Sequence, residues 1–572
     1  MSQNSIDTIK QNLYKVYGDE KGSRILKAIY KLIDQYKQGT QPKEWVDEKD
    51  VMLITYGDSV KNSTQKPLHT LKEFLNEYVG DTINSVHILP FYPYTSDDGF
   101  SVQDYLKVDP ELGNWEQIHK LAEDYDLMFD AVINHISSKS DWFLKYLKGD
   151  PSYQDYFVES DPSLDHSSIV RPRALPLLTE VEHAEGTKYV WTTFSEDQID
   201  LNYESEALFL EVLEILAQYV QHGARYLRLD AIGFLWKRLN TTSIHLDETH
   251  RIVQVMRDVL EEISPGTIII TETNVPHKDN ISYFGDGSNE AHMVYQFPLP
   301  PLTLNAFLSG NAKHLSEWAD SLEPTSEHTS FFNFLASHDG VGLRPVVGIL
   351  EEAEVQKMAE RVKRNGGYVS YKDNGDGTKS PYELNINYLS ALKKEDDTQQ
   401  KTVDRFIAAQ SILLSVKGVP GIYIHSILGS ENDQKGVEAT GRNRSINREK
   451  LFVEDLEQEL KKDGSLRERI FNRFMDRIEK RKAEIAFHPN ADQKVLFLDD
   501  RLFTIVRTHE ETEEKLVAII NVSEQQLEVS TDSLKEELGN KALIDVISES
   551  NYPSELSTLT VEPYQALWLK EA

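Results

Sequence analysis

Three acidic residues follow directly on short apolar runs: Asp230 in YLRLDAIGF, Glu272 in IIITETNVPH and Asp339 in FLASHDGVG. Taken singly, each would serve equally well as a strand-end cap or an ion-pair partner. Three in one chain, with Arg228 two residues before Asp230 and His338 directly before Asp339, favour catalysis. A buried carboxylate without a partner is costly, and barrel enzymes hold their reactive groups at the ends of strands. Such a set suits glycosyl transfer with retention. One carboxylate attacks the anomeric carbon, and a second carboxyl protonates the leaving oxygen and then acts as base on the acceptor. A third acid binds ring hydroxyls and favours the oxocarbenium-like transition state. On an extended strand Arg228 projects to the same side as Asp230, where its charge would keep that carboxylate ionised. An ion pair inside a barrel is a compatible role for it.

The elements that must position these groups are visible as apolar runs at 51–57, 86–91, 127–134, 226–232, 267–273, 292–297, 331–337 and 419–425. They are short, continuous and rich in Val, Ile and Leu, as strands buried on both faces should be. Helical stretches between them, such as 206–222 and 250–263, imply parallel connections. Eight such units predict an α/β fold, a closed (β/α)8 TIM barrel; a doubly wound open sheet is the alternative from pattern alone. The 572 residues exceed the roughly 250 of a plain barrel. Residues 1–50 read as amphipathic helix, so residues 1–135 hold N-terminal helices and the first part of the barrel. An insertion at 136–205 reads as a lid domain. The barrel resumes over 206–489, with a second insertion at about 340–417. From 490 to 572 alternating strands such as KVLFLD and KLVAIINV predict a C-terminal antiparallel β domain.

Composition bounds the partners. A formal charge of −33 repels nucleic acid and anionic lipid. With no cysteine, disulfides and thiolate-held metals are excluded. The start, MSQNSIDTIKQNLYKVYGDEKG, lacks an apolar h-region and reads as helix. No run of about 18 apolar residues occurs, so no membrane span is expected. The expectation is a cytoplasmic protein.

The stretches DAVINH, RLDAIGF, TETN and SHD resemble the four sequence signatures of the α-amylase superfamily, glycoside hydrolase family 13, in the right order and at the expected strand ends. The resemblance covers nearly the whole chain. DDGFSVQDYLKVDPELG, VRPRALPLL, DAIGFLWK and SINRE are similar to its sucrose phosphorylase branch. WTTFSEDQIDLNY and SPYELN point within it to enzymes of glucosylglycerate. The resemblance implies Asp230 as nucleophile, Glu272 as general acid/base and Asp339 as transition-state stabiliser. It implies that Asp97, His135, His338 and Arg448 hold the glucosyl hydroxyls, and that Phe100 and Phe234 wall that sugar.

A phosphorylase must also hold an anion beside three acids. Arg171 and Arg173 in VRPRALPLL offer planar forks for phosphate or carboxylate oxygens. The resemblance places Tyr382 and Glu383 on the acceptor side, where sucrose phosphorylases carry Tyr-Gln. The Glu departs from that pattern, which weakens the case for fructose, and suits binding hydroxyls or orienting an arginine. The small-molecule partners implied are an α-glucoside, inorganic phosphate and D-glycerate. Sucrose, sucrose 6′-phosphate and glucosylglycerol stand as alternative substrates, and a hydrolase, a transglucosidase or an inactive binding module as alternative functions. No cofactor and no metal site is expected, and the chain is expected to act as a monomer or homodimer.

Overall fold

A computed structural model describes the chain except residues 1–2, 38, 40–42, 173–174 and 375–376. Eight parallel strands close into a barrel. They are β1 (Met52–Thr55), β2 (Ser85–Ile88), β3 (Asp126–Ala131), β4 (Ala224–Leu229), β5 (Ile268–Thr271), β6 (Met293–Tyr295), β7 (Ser330–Asn333) and β8 (Val419–Tyr423). Each strand pairs with its neighbours in chain order, and β1 closes the ring against β8, with Met52 opposite Gly421. Nearly every strand residue is buried on either face, because side chains alternate between the barrel interior and the surrounding helices. Gly421 is needed for space: a Cβ there would lie 2.4 Å from the ring of Phe332 on the facing β7.

The apolar runs thus become strands where expected. Helix Glu206–Gln221 begins at Ser205, whose side chain accepts from the Leu208 N–H. Helix Asp247–Ile263 starts three residues before the expected boundary and buries Ile252, Val253, Val255, Met256, Val259, Leu260 and Ile263 at helical spacing. The reading of residues 1–50 as helix needs correction. The helix spans Gln3–Tyr36, broken at Gly18 (φ 77°, ψ 169°), and residues 43–50 are not helical. Gly39 and Pro42 in the following sequence oppose its continuation.

After β3 the chain leaves the barrel. Strand His135–Ser137 pairs antiparallel with Gln198–Asp200, and Leu178–His183 forms a hairpin with Gly186–Trp191. After β7 come helix Glu352–Arg364 and the hairpin Tyr368–Asp373 with Lys379–Asn385, which also pairs with Val341–Gly342. The C-terminal part is a six-stranded antiparallel sheet in which Lys515–Asn521 lies between Leu502–Thr508 and Ala566–Glu571. A second ribbon, Leu527–Ser530 with Thr558–Val561, and helix Asp532–Leu538 complete it. Trp568 and Arg507 bind this sheet to the barrel: both reach Ser415, at 2.9 Å and 2.8 Å. No helix among the described residues is long and apolar enough to cross a membrane.

Candidate active site

The site grows from a chain of ion pairs at the carboxyl end of the barrel. His87 on β2 meets Asp130 on β3 at 2.6 Å. Asp130 pairs in turn with Arg228 on β4, its register partner. Arg228 then donates from Nη1 to Asp230 at 2.8 Å and from Nε to the Tyr295 hydroxyl at 3.1 Å, and its Nη2 lies 3.9 Å from Glu272. Asp130 is fully buried, yet Arg228 and His87 hold it below the ordinary carboxylate range against its burial. One guanidinium therefore serves three carboxylates.

Asp230 ends β4 and Glu272 ends β5. Between them the backbone at Ala231 takes a left-handed turn (φ 48°) and its N–H donates to Glu272 Oε2 at 3.0 Å. A non-glycine residue in that region stores strain, a common mark of functional sites. Burial raises both Asp230 and Glu272 above the ordinary carboxyl range; the charge of Glu272 adds to the rise at Asp230, those of Asp339 and Asp130 to the rise at Glu272, and Arg228 opposes both. Arg228 lies closer to Asp230 than to Glu272. The geometry therefore favours charge on Asp230 and the shared proton on Glu272.

Asp339, after β7, is in the opposite state. Burial would raise it, but Arg444, His338, Arg448 and Arg228 hold it well below the carboxylate range. Arg444 Nη1 stands 2.6 Å from Asp339 Oδ1, and His338 Nε2 stands 3.5 Å away. The His338 Nδ1 and Arg448 Nη2 atoms are buried without a hydrogen-bond partner among the described residues. Such atoms suit the hydroxyls of a polyol ligand, since buried polar groups are otherwise satisfied.

The other sequence-derived residues gather around this centre. Phe100 stacks on His338 with ring centroids 4.9 Å apart, and the Arg228 guanidinium lies 5.7 Å from the Phe100 ring. His135 is 2.9 Å from the Phe100 carbonyl oxygen, and burial lowers it to about 4. Asp97 accepts from Gln198 at 3.2 Å. Phe234 meets Phe194 edge-on at 5.4 Å, and Phe194 lies 5.2 Å from His135. Arg448 donates to the His338 carbonyl oxygen at 2.7 Å and pairs with Asp98, the neighbour of Asp97.

The residues expected on the acceptor side divide. Glu383 accepts two bonds from Arg444, at 3.0 Å from Nε and 2.8 Å from Nη2. Tyr382, next along the strand, lines a separate outer cavity with Arg171. Arg171 donates to the Leu175 carbonyl oxygen at 2.6 Å. Arg173 lies outside the described residues. The inner pocket is lined by Arg228, Glu272, His338, Asp339, Glu383 and Arg444, among others.

Sequence reasoning did not single out Arg444, Asp130, Asp98, Gln198 or Tyr295. Two of them left a signal. Asp130 stands inside the apolar run LMFDAVI and needs a cation, and Arg444 lies one helical turn before Arg448.

A barrel with carboxylates at the ends of β4, β5 and β7, tied to a strand-borne arginine, defines a glycoside-active enzyme. The model of the α-amylase catalytic domain matches residues 69–362, and that of the amylosucrase C-terminal domain matches residues 487–570. The chain belongs to the α-amylase family, glycoside hydrolase family 13. It is 47% identical over 529 residues to the glucosylglycerate phosphorylase of Spirochaeta thermophila, covering 91% of this chain and 89% of that protein. It is 44% identical to the glucosylglycerate phosphorylase of Escherichia coli, covering 95% of each. Among solved structures, sucrose 6F-phosphate phosphorylase from Thermoanaerobacter thermosaccharolyticum matches with a TM-score of 0.72 at 23% identity, over 84% of this chain and 96% of that one.

Proposed function

We propose that this protein is a glucosylglycerate phosphorylase: it converts 2-O-α-D-glucosylglycerate and phosphate to α-D-glucose 1-phosphate and D-glycerate. The observation that carries this reading is full-length likeness to three glucosylglycerate phosphorylases at 42–47% identity. The site supplies the parts for a double displacement.

In the first step Asp230 attacks the anomeric carbon and the bond to the glycerate oxygen breaks. The proton of Glu272 goes to that oxygen, and glycerate leaves. In the second step a phosphate oxygen attacks the same carbon from the vacated side. The ester to Asp230 breaks, and the hydrogen phosphate returns a proton to Glu272. Two inversions leave the α configuration. Asp339, held anionic by Arg444, faces the positive charge that develops on the sugar ring. His338, Arg448, Asp97 and His135 take the glucosyl hydroxyls, with Phe100 and Phe234 as walls.

Both leaving acid and incoming phosphate are anions. Arg444 offsets the carboxylates, oriented by Glu383; Arg171 and Arg173 stay assigned to phosphate or glycerate as in the sequence reading, with Tyr382 on the acceptor side. Phosphorolysis keeps the glycosidic bond energy in a charged sugar phosphate that stays within a cell, which suits a cytoplasmic enzyme acting on small molecules.

The test is phosphate release from α-D-glucose 1-phosphate with a panel of acceptors. D-Glycerate should accelerate release well beyond water, fructose or glycerol. Equal release with water, or a preference for fructose, would refute the assignment.

A further inference from the structure

Beside the inner pocket lies a second cavity of about 950 Å³. The two share a wall, the ladder of Val341–Gly342 with Lys379–Asn385. Along that ladder Gly342 and Glu383 face the inner pocket, whereas Leu343 and Tyr382, joined by a 2.9 Å backbone bond, face the outer cavity. The inner pocket leaves only about 50 Å³ by the same measure, so the outer cavity is the spacious one.

The charge of the outer cavity is opposite to that of the chain. Its described lining carries Arg171, Arg344 and Lys372 against one carboxylate, Glu352, in a protein of net charge −33. Arg344 opens the short turn Arg344–Val346, five residues after Asp339. Among the described residues its guanidinium has no hydrogen-bond or ion-pair partner. Its surface is open, yet surrounding atoms desolvate it enough to lower its pKa, with Asp279 the one charge opposing the fall. Open surface combined with desolvation is what a side chain in a concavity experiences. A guanidinium with vacant donors there is a ready fork for an oxyanion.

We propose that the outer cavity is an anion-docking site in which Arg344, assisted by Arg171 and Lys372, gathers small oxyanions at the mouth of the carboxylate-lined pocket. The ligand class is a compact phosphate or hydroxy-carboxylate. This deepens the phosphorylase reading and rests on it for its role: both co-substrates must approach a strongly negative protein, and a local positive cavity raises their concentration where they are needed.

The full-length protein is labelled with the arginine reagent phenylglyoxal, and modification of Arg344 is followed by peptide mass mapping. Inorganic phosphate and D-glycerate are added separately, with sodium chloride at equal ionic strength as control. Either oxyanion should slow labelling of Arg344 about fivefold or more, and the two arms say which one docks. In parallel, Arg344→Gln should lower kcat/KM for phosphate about tenfold, mainly through KM, and flatten its dependence on salt. Arg344→Lys should recover part of the loss. Unprotected labelling of Arg344 in both arms, or Arg344→Gln within twofold of the parent in kcat/KM for phosphate, overturns the proposal. Protection without turnover of glucosylglycerate would leave the docking site standing and remove the substrate assignment. Turnover without protection would do the reverse.

Discussion

Glu383 grips Arg444 at two points, at 3.0 Å and 2.8 Å, and thereby aims the remaining arm of the guanidinium at Asp339, 2.6 Å away. A carboxylate that cannot itself attract an anion thus controls the group that can. The pair also accounts for the first glycine in HDGVG, since a Cβ on Gly340 would lie 2.6 Å from Glu383 Cγ; the second has a different cause, since a Cβ on Gly342 would lie 2.7 Å from Asn274.

Replacing Glu383 by Gln removes one charge-assisted bond and leaves Arg444 free to turn. Glu383→Gln should lower kcat/KM for D-glycerate roughly tenfold in the synthetic direction. The ratio of activity on glycerate to activity on neutral acceptors should fall with it. An unchanged ratio measured over an acceptor panel would mean that the Arg444 fork is scaffold only.

The acid role proposed for Glu272 predicts a loss that depends on the leaving group. Glu272→Gln should cut turnover of glucosylglycerate by about 10²- to 10⁴-fold. α-Glucosyl fluoride, which needs no protonation to depart, should suffer far less in the first step. Equal losses on both donors would argue against general acid catalysis by this residue.

The raised carboxyls make stability depend on pH in a fixed direction. A carboxyl whose folded pKa lies above its unfolded value stabilises the fold at low pH, and that contribution is lost as pH rises through the folded value. Asp230 and Glu272 are of this kind, and the loss begins above the ordinary carboxyl range near pH 4. Asp339 is the reverse: its contribution is present above that range and lost in acid. The two carboxyls share one proton, so Asp230→Asn, which leaves only one of them to ionise, should gain in melting temperature relative to the parent between about pH 5 and about pH 8. A difference that is flat across that interval, read by differential scanning fluorimetry, would contradict the balance of charges described here.

The barrel was legible because buried parallel strands must be short and apolar and eight such runs alternate with helices, although the same pattern also fits a doubly wound open sheet. The carboxylates were legible because an acid that ends a buried strand pays heavily for its desolvation, so three of them in one barrel point to chemistry. Less visible was everything that depends on two distant segments meeting. Nothing local in RNRSINRE says that Arg444 reaches Glu383 some sixty residues upstream, and nothing in SPYELN says that Tyr382 and Glu383 serve different cavities. Strand alternation separates that adjacent pair, and only the ladder with Val341–Gly342 reveals which side is which. Amphipathic patterning runs on through Gly39 and Pro42, and so overstates the length of the N-terminal helix.

The central claim is that a glucosyl ester forms on Asp230 and is intercepted by phosphate. Glu272→Gln treated with α-glucosyl fluoride should accumulate that ester, because the base that helps water attack is gone. Peptide mass mapping should find one added glucosyl unit on the peptide that contains Asp230. Phosphate should discharge it to α-D-glucose 1-phosphate far faster than water does. An adduct on another residue, no adduct at all, or a β-configured product would contradict the account.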